Sequence, residues 1–96
     1  MAFQLKLEPR ALIEISDAFE YYSKISIRLC KKFNRALNHA LNVLEINPFF
    51  QIKYKTIRSL PLKTFPFIIL FSVKDNSVLI YSFFHTSQNP GKYPKI

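Results

Sequence analysis

The stretch FPFIILFSVKDNSVLIYSFFH, residues 65–85, decides the fold. Two apolar runs, 66–73 and 78–85, flank Lys74-Asp75-Asn76-Ser77. Isoleucine, valine and phenylalanine fill both runs, and these types fit a pleated, half-buried surface. Asp and Asn tolerate the positive φ that a tight hairpin loop demands. The stretch therefore reads as an antiparallel β-hairpin at the centre of a sheet. With Asp75 and Asn76 as the loop, Val73 faces Val78, Phe71 faces Ile80 and Ile69 faces Ser82. Alternation of side chains then sorts the hairpin into two faces. One holds Phe67, Ile69, Phe71, Val73, Val78, Ile80 and Phe84, and belongs under helices. The other holds Ile68, Leu70, Ser72, Leu79, Tyr81, Phe83 and His85. Two readings of this second, still apolar face are open. The C-terminal tail covers it, or it is a groove for a partner, since exposed apolar patches mark interaction sites.

Upstream, residues 2–7 alternate, with Phe3, Leu5 and Leu7 against Gln4 and Lys6, which predicts a short half-buried strand. Pro9 suits the first turn of a helix, where its missing N–H costs nothing. Leu12, Ile15, Phe19 and Tyr22, with Ala11 and Ala18, share one helical face and predict a helix over 9–22. Glu14 and Asp17 are placed to favour its dipole. Residues 23–26 break the pattern, and Ser26 offers an N-cap. A second helix over 26–46 follows from Cys30, Phe33, Leu37, Leu41 and Leu44, supported by Ile27, Ala40 and Val43. Asn47 precedes Pro48 and is pushed out of the helical region, so the helix stops there. The short connection makes the pair an antiparallel helical hairpin. NPFFQIKY, residues 47–54, is a loop leading into a strand, and residues 53–58 alternate basic with apolar or aromatic types. Pro61 marks an edge or a break near that strand. The tail beyond His85 carries two prolines and the single glycine, and is expected to be irregular and on the surface.

Ninety-six residues predict one domain over 1–96. Hydrophobic residues at 49% are far from a disordered composition. No apolar run approaches the roughly 20 residues of a membrane helix, and Glu8, Pro9 and Arg10 interrupt any signal-peptide pattern. Cys30 stands alone, on an apolar helix face, and reads as a buried thiol in a cytoplasmic protein. Fourteen Lys and Arg oppose six Asp and Glu, a net charge of +8. That excess points to an anionic partner, a nucleic acid or an acidic protein. The outer face of the second helix carries a basic stripe, where Arg28, Lys31, Lys32 and Arg35 continue into Asn38, His39 and Asn42. The stripe is either a solvated face or a track for phosphates or an acidic partner.

No CxxC, HExxH or phosphate-cradling glycine loop occurs, so no metal or cofactor is expected. One catalytic constellation is available. Lys53, Lys55 and Arg58 on one strand supply charge for a scissile phosphate. His85 supplies an acid or base and Tyr93 a stacking ring. Such a set suits metal-independent RNA cleavage.

The order of elements is strand, two helices, then a three-stranded antiparallel run. Arg58 precedes Phe65-Pro66-Phe67, and the hairpin ends in His85 followed by Asn89-Pro90. In this the chain resembles, over nearly its whole length, the RelE/ParE superfamily of toxins from bacterial type II toxin–antitoxin modules. The resemblance implies an α+β fold, β-α-α-β-β-β, with the helical hairpin on one face of a small antiparallel-rich sheet. It implies a basic toxin neutralised by a cognate antitoxin, here through Ile68, Leu70, Leu79, Tyr81 and Phe83. RelE-like members cut messenger RNA in the ribosome, and ParE-like members poison DNA gyrase. Arg58 matches an arginine of the second strand, His85 a histidine after the last strand, and Lys53 and Lys55 lie near RelE-like lysines. Ile68 and Ser72 stand where basic residues are frequent, and Ser87-Gln88 replaces a basic pair. These departures incline the reading toward a non-catalytic, ParE-like toxin.

Overall fold

The computed structural model describes residues 2–94. Its order is β1 (Gln4–Leu7), α1 (Pro9–Ile25), α2 (Ile27–Ile46), β2 (Ile52–Tyr54), β3 (Ile57–Pro61), β4 (Phe67–Lys74) and β5 (Ser77–His85), with a 3₁₀ turn at Pro90–Lys92. The five strands form one sheet in the order β1-β5-β4-β3-β2. Only β1 runs parallel to its neighbour, β5. The expected α+β architecture is present, with one strand more than the six-element pattern. The alternating run 53–58 is not one strand. It folds back at Lys55, whose φ is +49°, so that Tyr54 pairs with Ile57 across a tight turn.

The two helices are separated by Ser26 alone. Its extended backbone (φ −169°) ends α1, and its hydroxyl accepts from the Leu29 N–H at 3.1 Å to start α2. Helix α1 runs three residues past the expected Tyr22. Ser23 is absorbed by bonding back to the Glu20 carbonyl. Its buried arc is Ala11, Ala18 and Tyr22, flanked by Ile15 and Phe19. Leu12, expected in the core, lies one position round the helix and is 55% exposed. Helix α2 ends at Asn47 as Pro48 requires. Phe33 is its anchor, fully buried among Phe19, Tyr22, Phe65, Phe67 and Phe83. Cys30 is only half-buried, its sulfur 4.0 Å from the Phe19 carbonyl.

The hairpin closes as expected near its tip. Lys74 pairs with Ser77, Val73 with Val78 and Phe71 with Ile80, and Asp75 takes φ +54°. Beyond that point Leu70 pairs with Ser82, so Tyr81 is an extra residue without a partner on β4. This β-bulge inverts the alternation of the rest of β5. Phe83 consequently enters the helix-side core and Phe84 moves to the opposite face, the reverse of the alternating expectation. His85 likewise turns to the helix side, edge-on to Phe67 at 5.0 Å. Glu14 of α1 clasps the bulge. Its Oε1 accepts from the Ser82 hydroxyl at 2.8 Å and from the Phe83 N–H at 3.0 Å. That carboxylate serves the sheet, in the second turn of the helix, more than the helix dipole.

Candidate functional site

The sheet face away from the helices carries a second, smaller core. Ile57, Leu70 and Phe84 are buried there, with Tyr54, Ile68, Tyr81 and Tyr93 packed around them. The tail accounts for part of that burial, as the first of the two readings of this face expects. Arg10 donates to the Lys92 carbonyl and ties the tail to α1. Tyr93 then lies edge-on to Phe84 at 4.6 Å and stacked on Tyr54 at 5.5 Å. The Tyr54 hydroxyl donates to the Pro94 carbonyl at 2.8 Å. Burial pushes the Tyr54 phenol up from its ordinary value; the positive charge of Arg10 opposes this and Tyr93 adds to it.

What the tail leaves open is a strip on β4 and β5. Leu79, Tyr81 and Ile68 are half-buried there. The Ser72 hydroxyl donates to the Tyr81 oxygen at 3.1 Å, which holds the ring against the sheet. Lys6, paired with Leu79, and Lys74, in phase with Ser72, flank the strip and are exposed. Apolar contact area with positive borders suits an amphipathic, acidic segment. Of the five residues expected to meet the antitoxin, Ile68, Leu79 and Tyr81 are in this strip. Leu70 is fully buried beneath it, and Phe83 is on the other side of the sheet because of the bulge.

The proposed catalytic residues do not converge. Lys53 sits 5.9 Å over the Tyr93 ring, on the open face. Lys55 occupies the β2–β3 turn. Arg58 is on the helix side, where it donates to the Phe50 carbonyl at 2.6 Å and lies 5.5 Å over Phe49. It pairs with Phe71, whereas His85 pairs with Phe67. Four residues along the strands and two ladders across put these two Cα atoms roughly 16 Å apart. The His85 Nδ1 is held by the Ser87 backbone N–H at 3.1 Å, with the Ser87 hydroxyl at 2.6 Å. A backbone N–H can only donate, so the neutral ring carries its proton on Nε2. His85 lines a groove of about 530 Å³ between α1 and the sheet, with Asp17, Tyr21, Tyr22, Phe67 and Gln88. Burial, with a smaller contribution from Tyr21, raises the Tyr22 phenol.

Arg28, Lys31, Lys32 and Arg35 are all exposed on α2, as expected of the stripe. No group of His, Cys, Asp or Glu among the described residues could hold a metal ion. No helix among them is long and apolar enough to cross a membrane.

No family model matches the sequence, and no curated protein matches it. A solved structure does match, "Chromosomal ParDE TA system from P. aeruginosa", with a TM-score of 0.73 at 18% identity. The match covers 90% of this chain and 98% of that one. The chain has the ParE-like fold. The resemblance read from Arg58, the Phe65-Pro66-Phe67 strand start and His85 thus leads to the same architecture as the coordinates. Sequence reasoning missed Glu14 and Arg10 as residues that fix the β5 bulge and the tail on this ParE-like fold. Both act across more than 60 residues of chain, and no local spacing signals them.

Proposed function

We propose that this chain is the toxin of a type II toxin–antitoxin module, a single cytoplasmic domain over residues 1–96 that inhibits growth until a cognate antitoxin binds it. The observation that carries this reading is the near full-length likeness of fold to a chain of a ParDE system. The antitoxin segment lies along Ile68, Leu79 and Tyr81, between Lys6 and Lys74. Within the superfamily the reading favours a ParE-like toxin that acts on DNA gyrase without catalysing a reaction. The dispersal of Arg58 and His85 supports that choice, because acid–base work on one phosphate needs its groups within hydrogen-bond reach of the reacting atoms. The RelE-like alternative, cleavage of messenger RNA on the ribosome, draws support from the pairing of Lys53 with Tyr93 on the open face. A degenerate, non-toxic basic binding domain is the third reading.

Induced expression in a bacterial host tests the proposal. Growth should arrest, and co-expression of an acidic chain encoded beside this one should restore it. Normal growth with folded protein accumulating would leave the binding domain standing instead.

A further inference from the structure

Lys32, Arg35 and His39 of α2 and Lys63 of the β3–β4 connection line one groove of about 350 Å³. Ala36, Thr64 and Phe65 complete its walls. Thr64 sits at φ +77°, an uncommon conformation for a β-branched residue, in the connection that brings Lys63 to the helix. The helical members are three and four residues apart, so they share one face. Arg28 and Lys31 extend the row, and from residue 28 to residue 39 it covers about 16 Å. That length passes about five phosphates of one nucleic acid strand.

Among the described residues no ion pair to a carboxylate engages these cations. The ion pairs described are Arg10–Glu14 and Lys24–Glu20, and neither reaches the groove. No Asp or Glu occurs between residues 20 and 45, or between 45 and 75. The groove also lacks what a protein partner would need at its centre. The exposed large apolar residues of α2 are Ile27 and Ile46, at its two ends, and neither lines the groove. Phe65, its aromatic residue, is 9% exposed and offers no stacking face. Protein interfaces have apolar, aromatic-rich cores, whereas nucleic-acid interfaces are polar and strongly positive.

We propose that the groove formed by Lys32, Arg35, His39 and Lys63 docks the phosphodiester backbone of a nucleic acid, without reading its bases. The site is on the opposite side of the molecule from the strip assigned to the antitoxin, and its binding does not depend on whether the chain arrests growth.

Fluorescence anisotropy on the purified full-length chain tests this, with a short duplex DNA, a single-stranded RNA of equal length, and polyglutamate as probes. Three permanent cations contribute about −2.7 to the slope of log K against log salt on duplex, or about −2.1 on a single strand. The variant Lys32→Gln/Arg35→Gln/Lys63→Gln should lose that part of the slope and bind at least about tenfold more weakly at low salt. Lys6→Gln/Lys74→Gln/Lys92→Gln has the same net charge and should keep most of the affinity. All six side chains are exposed, and circular dichroism confirms that both variants fold. Either nucleic acid behaving this way supports the proposal, and the tighter one names the source of the phosphates. Equal weakening by the two triple variants, or polyglutamate binding that alone needs the three groove cations, would overturn it. So would an absence of nucleic acid binding.

Discussion

Glu14 is the most consequential side chain that no pattern announced. The bulge at Tyr81 sends Phe83 into the core and Phe84 to the open face, and Glu14 holds it with bonds of 2.8 and 3.0 Å. Ser82 is fully buried. Glu14→Ala leaves its hydroxyl and the Phe83 N–H without that partner, and each such bond to a charged group is worth about 1.5–3 kcal/mol. The partly buried contact with Arg10 is long, at 3.4 Å, and adds little. Two such bonds sum to about 3–6 kcal/mol, and the lower figure alone corresponds to a fall in melting temperature of about 12–24 °C for a domain of this size. Glu14→Gln keeps an oxygen able to accept both bonds, and should cost about 1 kcal/mol. Thermal unfolding followed by circular dichroism reads both variants. An alanine variant melting within about 3 °C of the parent would refute the reasoning, because the strand pairing alone would then be holding the bulge.

Phe83→Asp places a charge in the helix-side core and should prevent folding. Tyr81→Asp, on the open strip, should leave the melting temperature within a few degrees and abolish antitoxin binding, measured by calorimetry. Arg58→Ala removes the bond to the Phe50 carbonyl and should destabilise by about 1–3 kcal/mol in urea titrations, so reduced toxicity with unchanged stability would restore a direct functional role. Burial raises the Tyr22 and Tyr54 phenols above their ordinary value of 10.0. The stability these two contribute is complete below that value and is lost as pH rises through the higher folded values. Tyr22→Phe and Tyr54→Phe should therefore show a shallower decline of unfolding free energy as pH rises above about 10 than the parent, and identical declines would contradict the assignment.

Local signals carried much of the fold. Ser26, Asn47-Pro48 and the Asp75-Asn76 loop each place an element boundary by backbone chemistry that operates within four residues, and all three hold in the structure. The bulge was not legible, because an inserted residue leaves the apolar run unbroken and is stabilised by Glu14, more than 60 residues away. One such slip was enough to exchange Phe83 with Phe84 and to turn His85 toward α1. Lys55 misled for a related reason. Alternation of basic and aromatic types from 53 to 58 looks the same in one strand as in two strands with a tight turn between them. The basic stripe was readable from helical spacing alone, but the arrival of Lys63 beside it depends on the β3–β4 connection lying against α2, a contact between distant stretches of chain.

The central claim, a toxin whose action does not require catalysis on RNA, is tested most directly by pulse labelling of DNA and protein synthesis after induced expression in a bacterial host. The account predicts that DNA synthesis falls first, with protein synthesis following. An immediate fall in protein synthesis while DNA synthesis continues would contradict it, and would return Lys53, Lys55, Arg58, His85 and Tyr93 to the centre of the mechanism.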